Sequence, residues 1–162
     1  LTADRWKLPT VQQMKEEATE TMPPRVERDE NALWQELAQD GKLRLTDYDG
    51  RTVVMDREQF FSHTTGKGRD NRITLWDAML DTLRHPDEVW LNDEIKSEEL
   101  DTYCLMKFYR DEVMAVNCRI EGEELVLKTW YVMQTNLKGK TIAYMKKKIW
   151  DMRRRGLLIK KR

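Results

Sequence analysis

From Pro86 onward the chain changes its hydrophobic period, and that switch limits the fold more than any other feature of the sequence. Before it, Leu75, Trp76, Met79, Leu80 and Leu83 recur at helical spacing, opened by Thr74 and Asp77 in the pattern of a capping box. After it come DEVWL, TYCLMKFY, EVMAVNCRI and ELVLKTWYVM, short runs rich in β-branched and aromatic residues, with Glu121-Gly122 as a turn between the last two. Helices first and strands second make an α+β chain. The pattern predicts N-terminal helices packed on a four- to five-stranded antiparallel sheet, a meander with one apolar and one polar face.

The earlier residues add an extra helix and a hairpin. VQQMKEEATE reads as a helix, broken before the next one by Pro23-Pro24. Asp29 caps a second helix, ENALWQELAQD, which Gly41 closes. KLRLTDYDGRTVVM alternates apolar and polar residues about Asp49-Gly50, a hairpin signal. Asp56 with Gln59 then opens the helix REQFFSH. We therefore divide the chain into an N-terminal extension, residues 1–49, holding the helices and the first hairpin strand, and a main α+β domain, residues 50–162. Near the end, TIAYMKKKIWDMRRRG places Ile142, Met145, Ile149 and Met152 on one stripe opposite its cations, and Gly156 and a last strand, LLIKK, follow.

Of 162 residues, 40% are hydrophobic, enough for a real core, and none of the apolar runs approaches the ~18 residues that span a bilayer. Because the sequence opens on Leu1, it is expected to be the C-terminal piece of a longer chain. Formal net charge is zero, but unevenly spread: Lys138 to Arg162 holds 11 Lys and Arg against Asp151, a net of +10, and the preceding residues hold 18 bases and 28 acids, a net of −10. A basic segment on an acidic body fits either a local anionic partner or a solvated helix face. Two cysteines, Cys104 and Cys118, are too few for a disulfide framework or a zinc site, and no phosphate-binding glycine loop is present. The only serines, Ser62 and Ser97, lie in no nucleophile elbow.

What remains is FFSHTTGKGRDNRITLW, residues 60–76. His63, one of two histidines, ends a short helix and is followed by a glycine-broken run bearing Lys67, Arg69 and Arg72. A histidine there complements the helix dipole. It also has the near-neutral pKa that a cyclising ribonuclease needs, since such an enzyme lets the RNA 2′-hydroxyl attack its own phosphate and must move a proton. Cations and hydroxyls aimed at the phosphate oxygens would complete such a site. Lys67 and Arg72 are near in sequence, and the late strand supplies Lys128, Thr129 and Tyr131. Strand alternation puts Thr129 and Tyr131 on one face and Lys128 and Trp130 on the other, which makes Thr129 and Tyr131 the expected pair to line a cleft with His63.

The order of these segments resembles the phage-associated nuclease domains of the barnase–EndoU–colicin–RelE superfamily. It runs from a helix ending in His63 through a Lys/Arg-bearing turn to a helix closed by HPDEVW, then a meander with KTWY late in it and the terminal RRRGLLIKK. The resemblance covers roughly residues 50–162. It implies metal-independent RNA cleavage without a cofactor, with His63, Lys67, Arg72, Thr129 and Tyr131 catalytic; Lys128 of the late strand and Lys146, Arg153 and Arg154 of the basic segment are expected to hold the RNA backbone. It also implies a toxin module acting on tRNA or other RNA of the bacterial cytoplasm, with a cognate immunity protein as partner. The alternative is a non-catalytic module of a phage head-morphogenesis protein that binds nucleic acid or an acidic partner.

Overall fold

The computed structural model describes residues 8–64, 71–92, 101–133, 154 and 156–161. Among them lie four α-helices, α1 (Val11–Glu17), α2 (Glu30–Leu37), α3 (Arg57–Thr64) and α4 (Trp76–Arg84). The seven strands are β1 (Lys42–Thr46), β2 (Thr52–Asp56), β3 (Glu88–Asn92), β4 (Thr102–Phe108), β5 (Val113–Glu121), β6 (Glu124–Val132) and β7 (Leu157–Lys161). The class is α+β, as the change of period implies.

The sheet is larger than expected and it is mixed. Its order is β1-β2-β6-β5-β4-β3-β7. β3 to β6 form the anticipated antiparallel meander. The hairpin then adds to one edge, because β2 pairs in parallel with β6 through Val53–Leu125 and Val54–Val126. The division at residue 49 falls in the β1–β2 turn, and the hairpin joins the sheet as one piece. β7 closes the opposite edge against β3.

Over the central strands β3–β5 neither face of the sheet is polar. On one, α2, α3 and α4 bury Leu33, Trp34, Phe60, Trp76, Met79 and Leu83 against Met114, Val116, Cys118, Leu125, Leu127 and Trp130. On the other, Leu8, Val11 and Met14 cover Trp90, Met106, Phe108, Val113 and Ala115. Burial on both sides makes β4 and β5 near-continuous apolar runs where a one-sided sheet would alternate. Cys104 and Cys118 are both buried and divided between the two clusters.

Caps hold where a carboxylate meets free amides. Asp29 accepts from Asn31 and Ala32, and Asp56 accepts from Gln59. The expected box at Thr74 does not form. Its hydroxyl donates to the Asn71 carbonyl, a 3₁₀ turn occupies Arg72–Leu75, and α4 begins only at Trp76. α2 ends at Leu37, short of Gly41, which instead sits at φ +74 in a tight turn beside Asp40.

Arg154, expected to hold RNA, is fully buried. Its Nε donates to Glu88 Oε1 at 2.8 Å, its Nη2 to Glu88 Oε2, and its Nη1 to the Pro9 carbonyl at 2.7 Å. The Trp90 indole N–H donates to the same Glu88. An arginine with its charge spent on a sealed carboxylate is a structural tie. Gly156 follows at φ +92, where a Cβ would lie 2.1 Å from the Leu91 carbonyl oxygen, so only glycine lets the chain pass close enough to start β7. Lys67, Lys146, Arg153 and most of the basic segment lie outside the described residues.

Candidate active site

His63 stands in the last turn of α3, one turn beyond the buried Phe60. Phe60 packs edge-on to Trp76 of α4, with ring centroids 5.8 Å apart, and Trp76 packs edge-on to Trp130 of β6 at 5.7 Å. The imidazole of His63 stacks on Trp130, with centroids 6.2 Å apart and planes inclined by 25°. Core aromatics from two helices and a strand thus set the seat of a half-buried histidine.

Its tautomer follows from its neighbours. Nδ1 lies 2.9 Å from the Gln59 carbonyl oxygen, which can only accept, so Nδ1 carries the hydrogen. The Ser62 hydroxyl is 3.1 Å from the same nitrogen and donates to the same carbonyl. Nε2 makes no hydrogen bond among the described residues and is left with its lone pair. Burial lowers the pKa of His63 below the ordinary histidine value. The bond to Gln59 opposes that shift, and the positive charges of Arg72 and Lys128 add to it. The shift favours the neutral imidazole, the form a general base requires.

Arg72 is locked to the same strand from two sides. Its Nε donates to the Trp130 carbonyl at 3.0 Å, and the Trp130 indole N–H donates to the Arg72 carbonyl at 2.8 Å. Asn71 precedes it in the left-handed region at φ +42 and turns the chain into the 3₁₀ segment. The two terminal nitrogens of Arg72 make no hydrogen bond or ion pair among the described residues. A half-buried guanidinium with both outer nitrogens uncommitted is suited to a bidentate grip on phosphate. Lys128 is nearby but partly engaged, its ammonium 3.0 Å from Glu121.

Thr129 and Tyr131 do not join this group. The β5–β6 register breaks between Asn117 and Cys118, leaving Lys128 without a partner, so β6 carries a bulge there. Simple alternation would send Thr129 and Tyr131 to the side of Leu125 and Leu127. The extra residue inverts the strand, so Trp130, opposite Val116, takes the helix-covered face. Thr129 pairs with Asn117 and Tyr131 with Ala115, and Tyr131 packs in the cluster under α1, away from His63. Trp130 is the residue that alternation alone passes over. Its signal is the core spacing of Leu125, Leu127 and Trp130, two steps and then three.

The site thus brings together an imidazole with its Nδ1 occupied, a guanidinium whose two terminal nitrogens make no bond among the described residues, and a second cation, all beside the Phe60–Trp76–Trp130 aromatic cluster. The family model for the phage-Barnase-EndoU-ColicinE5/D-RelE like nuclease2 domain matches residues 31–160, from α2 into β7. This chain belongs to that nuclease family. No curated protein and no solved structure matches it. Among the described residues no helix is long and apolar enough to cross a membrane, and no group of His, Cys, Asp and Glu could hold a metal ion.

Proposed function

We propose that this nuclease-family domain is an RNA endonuclease of the cyclising type, with His63 as general base and Arg72 as the phosphate-binding cation. The single observation that carries the reading is a histidine whose Nδ1–H is fixed on Gln59, leaving Nε2 without a hydrogen bond among the described residues and beside two cations. In this reading Nε2 takes the proton of the 2′-hydroxyl, and O2′ attacks the adjacent phosphorus. The P–O5′ bond breaks to leave a 2′,3′-cyclic phosphate, and the imidazolium or water protonates the leaving oxygen. The Arg72 guanidinium meets the charge that grows on the non-bridging oxygens. Lys128 adds positive potential, and Lys67, Lys146 and Arg153 remain proposed phosphate contacts. The nucleophile belongs to the substrate, so this chemistry needs no metal.

The family's phage connection, together with the basic C-terminal segment, supports a toxin module acting on tRNA or other cytosolic RNA, covered by an immunity protein until release. The test is incubation with a mixed-sequence oligoribonucleotide and its 2′-O-methyl counterpart in EDTA. The reading expects the first to be cut to cyclic-phosphate ends and the second to survive. Cutting of both, or of neither, would remove it. RNA recovered whole but bound with a steep salt slope would mark a non-catalytic binding module instead.

A further inference from the structure

We infer that Trp130 is the positioning residue of this site, one indole that fixes both the plane of the His63 ring and the place of Arg72. The inference rests on the nuclease reading for its meaning but on geometry for its content. Trp130 makes three contacts with the two functional residues, each through a different part of itself. Its ring face lies against the imidazole at 25°, its N–H donates to the Arg72 carbonyl, and its own carbonyl receives the Arg72 Nε. A core tryptophan chosen only for volume needs one hydrogen-bond partner for its N–H. It does not need to be gripped in return by the side chain of the residue it binds.

The bulge at Lys128 makes this possible, because without the extra residue the indole would lie under α1. The one further ring that touches Trp130 among the described residues, Trp76, is itself buried, and the indole is fully buried too, so it has little freedom to shift. A general base and a phosphate-binding cation work together only when their separation is held within a fraction of an ångström. Hanging both on one residue, the imidazole on its ring face and the Arg72 backbone on its N–H, achieves that, although His63 and Arg72 belong to different segments.

Two variants separate positioning from mere packing. Trp130→Phe keeps an aromatic face and loses the N–H, whereas Trp130→Leu keeps apolar bulk and loses the flat face. In uniformly 15N-labelled protein, the imidazole nitrogen resonances of His63 report its tautomer and its titration without requiring catalysis, and the amide spectrum reports folding. In Trp130→Leu the Nδ1–H tautomer is expected to give way to a mixture, and the titration midpoint to rise toward the ordinary histidine value as the ring gains water. Trp130→Phe is expected to keep the tautomer, to lower kcat roughly tenfold with KM little changed, and to decide the matter if the Leu variant does not fold. A folded Leu variant with unaltered tautomer and titration would overturn the inference, as would a Phe variant with the parent's kcat. A parent that cuts no RNA would end the nuclease reading and leave the imidazole measurements to judge Trp130 on their own.

Discussion

Arg154 is fully buried with both Glu88 carboxylate oxygens on one edge of its guanidinium, whereas Arg72 stands half-buried beside His63 with its outer nitrogens uncommitted among the described residues. Both are arginines anchored partly by a backbone carbonyl, Pro9 for one and Trp130 for the other. The difference lies in the counter-charge. Where a carboxylate matches the cation, burial yields a tie that binds the end of the chain to β3. Where none does, the cation adds to burial in lowering the pKa of a neighbouring histidine, and its two terminal nitrogens make no bond among the described residues. A positive charge in a nuclease sequence thus says little until its partner is known.

Breaking the sealed pair has the largest expected effect on stability. Arg154→Met leaves Glu88 buried and unmatched, and thermal or urea unfolding is expected to show a loss of about 3–5 kcal/mol. Adding Glu88→Gln, which retains an acceptor for Trp90, is expected to recover most of it. RNA cleavage per folded molecule, under the proposed function, is expected to remain at the parent's level in both, because neither residue contacts His63 or Arg72.

On the other side of the comparison, the effects fall on rate. His63→Ala is expected to lower cleavage by roughly a hundredfold to ten-thousandfold in a single-turnover assay, the range for loss of a general base. Arg72→Ala is expected to lower it by about a hundredfold or more, mainly in kcat, as for removal of one transition-state donor. Arg72→Lys recovers only part, because an ammonium cannot grip two oxygens in a plane. The smallest effect belongs to Thr129→Val and Tyr131→Phe, both on the α1 face of the sheet, for which rates within about twofold of the parent are expected. A large loss in either would return the late-strand hydroxyls to the site and refute the bulge-based assignment.

How much of this was legible in the residues divides along the same line. The α+β class, the caps at Asp29 and Asp56 and the four meander strands follow from local periodicity and short polar side chains, which act within a few residues. His63 and Arg72 stood out as unusual in their run, and the fold does bring both to β6. The parallel β2–β6 pairing did not show, because nothing in either strand names a partner seventy residues away. Nor did the cover of α1, a seven-residue helix whose Val11 and Met14 close the second face. The bulge at Lys128 mattered most. Alternation counts residues as equal steps, and one unpaired residue reversed the sides of Thr129, Trp130 and Tyr131. Arg154 was misjudged for a related reason, since a run of three arginines reads as surface until Glu88, 66 residues earlier, is seen beside it.

The most direct test is the dependence of kcat/KM on pH for a short oligoribonucleotide in EDTA. A base must be unprotonated to act, and here burial and two cations push its pKa down, so activity is expected to stay level as pH falls to the ordinary histidine value and to drop only below it. Replacing Arg72 by Ala removes one of those cations and is expected to move that drop to higher pH at the lower rate. A parent whose activity already falls above pH 7, or whose acidic limb persists unchanged in His63→Ala, would contradict the assignment of His63 as the base.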